Sequence, residues 1–158
     1  MYKNEFDNYL KQNKKFKAYM FYGQSIFLVE QYALVIAQSL GNDDEIEKLY
    51  FEEYDFKYTK DKLLQSSLFS SNNIILIKLD KKIPKKEVDS LIEACNLNPD
   101  STLIFACLGD SDFKTMEASF SLKTNSAAVR FFLPTDTEAI KFLEYEAKML
   151  NMKVESSA

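Results

Sequence analysis

Four features of this sequence have residue types and spacing that could do chemistry: a glycine turn, a pair of aspartates, a run of lysines and an apolar pair set among serines. The apolar run Ala18-Tyr19-Met20-Phe21-Tyr22 stops at Gly23, and Gln24-Ser25 leads into a helical stripe of Leu28, Tyr32, Val35, Ile36 and Leu40. Strand, glycine turn and helix is the order in which a phosphate-binding loop is built. Counting a GxxxxGK[ST] pattern from Gly23 puts Leu28 at the second glycine, Val29 at the lysine and Glu30 at the magnesium-binding hydroxyl. A Cβ at 28 crowds the backbone, Val29 removes the charge that pairs the phosphates, and Glu30 repels them. The turn reads as a degenerate phosphate loop, and no nucleotide hydrolysis is expected of it.

Asp110 and Asp112 follow the apolar run Thr102 to Leu108, where a phosphotransferase would place carboxylates for magnesium. Ser111 or Asp112 also makes a good N-cap for a helix carrying Phe113, Met116 and Phe120, and capping is the favoured reading. The chain has no histidine, which removes imidazole as general base, triad member or metal ligand. Its two cysteines, Cys95 and Cys107, form no CxxC pair and read as small buried thiols. No catalytic residue, metal or cofactor is therefore expected. The five lysines Lys78, Lys81, Lys82, Lys85 and Lys86 read most simply as a solvated stretch. Contact of Lys81, Lys82, Lys85 and Lys86 with nucleic-acid phosphates is the alternative.

The stretch LLQSSLFSSNNIILIKLD, residues 63–80, is of another kind. A short helix, Lys60 to Gln65 capped by Thr59, ends in Ser66-Ser67; Leu68 and Phe69 follow, and Ser70-Ser71-Asn72-Asn73 enters a strand at Ile74. Serine and asparagine side chains satisfy local backbone groups, so this is a loop by mechanism. Leucine and phenylalanine inside it either fold back as a plug over the core or stand out as an anchor for a partner.

The elements that must position these residues follow from composition and periodicity. With 158 residues, 46% of them hydrophobic, and only three glycines and three prolines, one domain with one sizeable core is expected. A formal charge of −4 argues against nucleic-acid binding through the overall field. No apolar run approaches a membrane span and the N-terminus has no signal-peptide core, so a cytoplasmic protein is the expectation. Phe6, Tyr9 and Leu10 predict a helix within 4–14, and Val88, Leu91, Ile92 and Cys95 another, opened by Pro84. Strands at 18–22, 74–79 and 102–108 are apolar throughout and should be central. Those at 49–54 and 127–132 carry charges and should be edges. Residues 42–47 read as an acidic loop or short helical start. Strands alternating with helices predict an α/β fold, a five-stranded parallel sheet with helices on both faces. Placing strands 1, 3 and 4 inside matches the RecA-like P-loop order 5-1-4-3-2. From Pro134 to Met152 a long helix, capped by Thr135 or Asp136, carries two apolar stripes: Ile140, Leu143, Ala147 and Leu150, then Phe142, Tyr145 and Met149. A helix apolar on two sides has two neighbours, so the chain is expected to continue here into a second domain.

Tyr22-Gly23 with Phe27-Leu28 and Glu30, followed by Ser67-Leu68-Phe69-Ser70 before the strand Asn73 to Lys78, resembles the delta subunit of bacterial DNA polymerase III. The resemblance covers residues 1–133 as the N-terminal, AAA+-like domain, with 134–158 resembling the start of the lid domain. It implies a clamp-loader subunit with an ATPase-like fold that does not hydrolyse ATP, polymerase activity residing in the holoenzyme. It implies as partners the beta sliding clamp, the other loader subunits and, through the complex, primed DNA. In that family a leucine-phenylalanine pair enters a hydrophobic pocket on the clamp and helps open the ring; by resemblance Leu68 and Phe69 take that role, and the anchor becomes the favoured reading. Some relatives have an apolar residue two positions before that leucine; Ser66 stands there in this chain, and Leu64 is placed to supplement the contact. Two rivals remain: a small phosphotransferase using Gly23 and Asp110/Asp112, and a regulatory α/β binding module with Leu68 and Phe69 packed inside.

Overall fold

A computed structural model describes residues 1–65, 72–109 and 112–133, together with Lys141, Glu144, Tyr145, Ala147 and Lys148. Its elements run α1 (Lys3–Lys11), β1 (Ala18–Gly23), α2 (Ile26–Leu40), β2 (Ile46–Tyr50), α3 (Phe56–Leu64), β3 (Asn73–Leu79), α4 (Lys85–Leu97), β4 (Ser101–Cys107), α5 (Lys114–Glu117) and β5 (Ser126–Phe131). The five strands form one sheet in the order β2-β3-β4-β1-β5, and every pairing is parallel. Read from the other edge this is 5-1-4-3-2, the RecA-like, AAA+-type order expected of the sequence.

The side-chain period of two sorts each strand between two cores. Met20, Tyr22, Ile75, Ile77, Leu103 and Phe105 face α3 and α4 with Leu63, Val88, Leu91 and Cys95. Tyr19, Phe21, Ile74, Leu76, Ile104 and Val129 face α1 and α2 with Phe6, Val29, Ala33 and Ile36. Helices cover both faces, which is why the central strands read as unbroken apolar runs. The second core is dense in aromatic rings: Phe6 meets Phe21 edge-on at 5.5 Å, and Tyr32 lies 4.8 Å from Phe131. The Tyr32 hydroxyl donates to Asp7 at 2.7 Å and the Tyr19 hydroxyl accepts from the Phe16 amide at 2.9 Å, so the polar ends of both rings are satisfied.

The structure departs from the sequence reading at several points, beginning with the core, which is divided by the sheet into two where one was expected. The edge strand is Ile46–Tyr50, not 49–54, because the chain turns at Tyr50: the Glu53 carboxylate accepts the Tyr50 amide at 3.1 Å and residues 51–53 form a 3-10 turn. Asp55, not Thr59, caps α3 by accepting the Tyr58 amide at 2.9 Å, while Thr59 is buried and donates to the Asp55 carbonyl at 2.7 Å. α5 stops at Glu117 and does not reach Phe120, as the Ser119 and Phe120 amides tighten onto carbonyls three residues back. β5 is an edge, as expected, yet Ala127, Ala128, Val129 and Phe131 are all buried. Its open side is occupied by the N-terminus: Met1 donates its ammonium to the Ala128 carbonyl at 2.8 Å and accepts the Arg130 amide at 3.0 Å.

The core also fixes how the protein responds to alkali. Burial pushes the Cys95 thiol up to about 12, pushes Cys107 higher still, and raises the hydroxyls of Tyr22, Tyr32 and Tyr54. Unfolded, thiols ionise near pH ~8.5 and phenols near ~10. The fold therefore holds more protons than the unfolded chain above about pH 9, and its stability, complete below that pH, falls as pH rises towards 12. Melting temperatures followed by circular dichroism should decline steadily over that range, and both thiols should resist alkylation at pH 8 until the chain unfolds.

Candidate partner-binding site

Residues 66–71, which include the predicted anchor residues Ser66, Leu68 and Phe69, lie outside the described residues, but both ends of that loop are described. Its first foot is the C-terminus of α3, whose last carbonyls have no partner within the helix. No glycine cap is present; Gln65 leaves the helix in extended conformation. Side chains from a distant turn take over. Asn98 donates its amide to the Leu63 carbonyl at 3.0 Å and to the Gln65 carbonyl at 3.2 Å. Ser101 donates to the Leu63 carbonyl at 2.6 Å, and Asn73 donates to Lys62 at 2.6 Å and to the Ser101 hydroxyl at 3.1 Å. Asn98 and Ser101 are buried, which raises the cost of losing either set of bonds.

The second foot rests on the same turn. The Asn73 amide donates to the Asp100 carbonyl at 2.8 Å, and the Asn72 amide donates to Glu45 at 3.0 Å. Lys17 at the start of β1 donates to the carbonyls of Asn98 and Pro99 at 3.0 and 2.9 Å, pinning the turn to the central strand. Desolvation lowers the Lys17 pKa, as expected of an ammonium drawn partly out of water to make these bonds. Leu63 is fully buried and Leu64, its neighbour at the loop's foot, is 42% exposed. A large, partly exposed apolar side chain therefore stands next to the predicted anchor. The sequence marked Asn98-Pro99-Asp100 only as a turn. Its role in holding the end of α3 was missed because the partners there lie some 33 to 38 residues away.

The glycine turn sits at the opposite end of the parallel sheet. Gly23 ends β1 at φ +130°, and a Cβ there would come within 2.1 Å of the Phe131 carbonyl oxygen. The glycine is required by the close approach of β5. Helix α2 starts at Ile26 under a Ser25 cap, and three amides around the turn have acceptors within the protein: Gln24 donates to the Phe131 carbonyl at 2.8 Å, Leu28 to the Ser25 hydroxyl at 3.2 Å and Val29 to the Ser25 carbonyl at 3.1 Å. Leu28 and Val29 are buried against the sheet, and the exposed Glu30 pairs with Lys78 at 3.7 Å.

Lys81, Lys82, Lys85, Lys86 and Asp112 also follow strands at this end. Lys81 stands 5.8 Å from the Phe51 ring and Lys85 pairs with Asp89 at 2.9 Å; Lys82 and Lys86 are exposed. Asp110 and Ser111 lie outside the described residues, and Asp112 accepts the Lys114 amide at 3.1 Å, a local turn bond; it is not the expected N-cap, because α5 follows Phe113 and has no side-chain cap. Among the described residues no group of three or more cysteines, aspartates or glutamates could hold a metal ion, and no helix is long and apolar enough to cross a membrane. The predicted C-terminal helix falls largely outside the described residues; the five described between 141 and 148 are helical and exposed.

Comparison with known proteins places this arrangement. Two Helicobacter pylori proteins, from different strains, are 28% and 27% identical to the chain over 98% of its length and 50% of theirs. The chain thus spans about half the length of these curated relatives. The Bacillus subtilis DNA clamp loader delta protein superposes with a TM-score of 0.62 at 16% identity, over 92% of this chain and 47% of that one. A DNA polymerase III gamma subunit-related protein of Thermotoga maritima superposes at 0.50 and 9% identity, over 84% of this chain and 47% of that one. At such identities these two likenesses speak for the fold alone. The family described as DNA polymerase III, delta subunit, matches residues 19–132, well over half of the sequence, and the chain is a member of that clamp-loader subunit family.

Proposed function

We propose that this chain is the clamp-binding part of a cytoplasmic, non-hydrolysing clamp-loader subunit, and that it binds the beta sliding clamp and helps open it through Leu68 and Phe69. The observation that carries the reading is the fixed base of the loop holding those residues: both feet, Gln65 and Asn73, are bonded to the turn 98–101. Fixing the two ends of a loop lowers the entropy lost when a partner binds it, which supports a small apolar anchor at this place. Leu64, exposed at the first foot, supplements the contact in place of the polar Ser66. Residues 1–133 form the clamp-binding domain and 134–158 enter the lid domain. Other loader subunits are met by the longer protein, and primed DNA by the complex.

ATP plays no part in the proposed action of this chain. Supporting this are the occupied amides around Ser25 and the burial of Leu28 and Val29 where a phosphate loop needs glycine and lysine. The test is release of labelled clamp from closed circular DNA on adding the chain. Release without ATP, unchanged when ATP and magnesium are supplied and lost in Leu68→Ala, Phe69→Ala, is the expected result. Release that needs ATP, or that survives the double substitution, would sink the proposal.

A further inference from the structure

We propose that Leu97, together with Leu64, makes a second apolar contact with the beta clamp, beside the one assigned to Leu68 and Phe69. This rests on the clamp-binding reading above. The buried stripe of α4, Val88, Leu91, Ile92 and Cys95, keeps helical spacing, and Leu97 falls outside it, on the outer side of the helix with the exposed Lys86 and Glu93. At 70% it is more exposed than any other large apolar side chain among the described residues. It does not stand alone. Asn98 reaches from the next position to the carbonyls of Leu63 and Gln65, so the ends of α4 and α3 lie one side chain apart, and the exposed Leu64 and Pro99 border the same turn. Leu68 is three residues from Gln65 in the chain, at most about 11 Å of extended backbone, so a clamp that takes it meets the surface around this turn. A specific protein interface buries about 800 Å² on each partner, whereas a phenylalanine supplies roughly 150 to 250 Å². The anchor pair falls well short, so neighbouring surface must join it, and Leu97 is the apolar residue there with most left to bury.

Binding of Leu97→Ala and Leu97→Lys to purified beta clamp is measured beside the parent and Leu68→Ala, Phe69→Ala. Leu97→Ala should bind about fivefold more weakly and Leu97→Lys at least about twentyfold, since the lysine brings a charge into an apolar contact. Because the side chain is exposed, melting temperatures should match the parent; a purely structural role would lower them and leave the affinity unchanged. Footprinting gives a readout that does not depend on binding energy. Both native cysteines are buried, so iodoacetamide labels only a thiol introduced by Leu97→Cys, and saturating clamp should slow that labelling by about tenfold. A thiol introduced by Lys82→Cys, at the opposite end of the sheet, should label at the same rate with and without clamp. Parent-like affinity in Leu97→Ala, or unchanged labelling at position 97 under saturating clamp, overturns the inference. If the double alanine variant loses binding while either of those results is found, the inference alone fails; if the double variant itself binds like the parent, the anchor reading fails and the inference with it.

Discussion

Replacing Leu68 and Phe69 together by alanine should weaken binding to the beta clamp by at least about a hundredfold while leaving the fold intact. Each side chain fully buried in a pocket contributes roughly 1.5 to 3 kcal/mol, so the pair accounts for about 3 kcal/mol or more, and every ~1.4 kcal/mol is tenfold in affinity. The effect should fall mainly on the dissociation rate, since removing apolar contacts changes residence time more than encounter. Leu64→Ala should have a smaller effect, as that side chain is already partly shielded at the foot of α3. Surface plasmon resonance on immobilised clamp separates the two rates. Circular dichroism of the double variant should match the parent, because neither β3 nor α3 includes the substituted positions.

Gly23→Ala is the substitution expected to cost the fold most. At φ +130° an L side chain is strained, and its Cβ would lie 2.1 Å from the Phe131 carbonyl oxygen and 2.7 Å from the Phe131 nitrogen. Both are backbone atoms of a strand paired to β1 from Ala18↔Ser126 to Gly23↔Phe131, so no side-chain rotation relieves the clash. Strain of this kind costs about 1 to 3 kcal/mol and the forced shift of β5 a similar amount, so a loss of about 3 kcal/mol is expected. In a chain of 158 residues that lowers the melting temperature by roughly 6 to 12 °C. A thermal melt within about 2 °C of the parent would mean that the sheet edge yields there. Such a loss would arise with no nucleotide present, which separates the packing role of Gly23 from any phosphate role.

The sheet was legible in the sequence because burial on both faces leaves a plain mark. Runs such as Asn73-Ile-Ile-Leu-Ile-Lys78 have no polar alternation, and ranking them as central with the charged runs outside agrees with the observed sheet, although several orders share that ranking and the pattern alone does not choose among them. The same rule hid the start of β2. Glu47 and Lys48 look like loop residues, yet Glu47 is held by α3, accepting the Tyr58 hydroxyl at 2.7 Å and pairing with Lys62 at 3.7 Å. Edge position lets such charges point at a neighbouring helix, and no local pattern reports it. β5 looked open for the converse reason: what covers it is the N-terminus, more than a hundred residues away, with Met1 and Ala128 separated by 127 positions.

The candidate site divides the same way. Leu68 and Phe69 stood out because apolar side chains in a serine-rich loop conflict with their surroundings, and such local conflicts are where function tends to lie. The turn bonded to the residues on either side of that loop gave no such signal. Asn98 and Ser101 are ordinary residues for a turn and a strand start, and only the fold brings them to the end of α3. Gly23 was read correctly as a turn glycine, but its reason lay in Phe131 on the strand beside it, not in a phosphate.

The most direct test of the central claim is a calorimetric titration of the purified beta clamp of the same organism with this chain, the Leu68→Ala, Phe69→Ala variant run in parallel. The account predicts saturable binding by the parent, with the negative heat-capacity change of apolar burial, and its loss in the variant. A folded parent chain that gives no binding heat at any temperature tried, or a variant that binds as tightly as the parent, would contradict it.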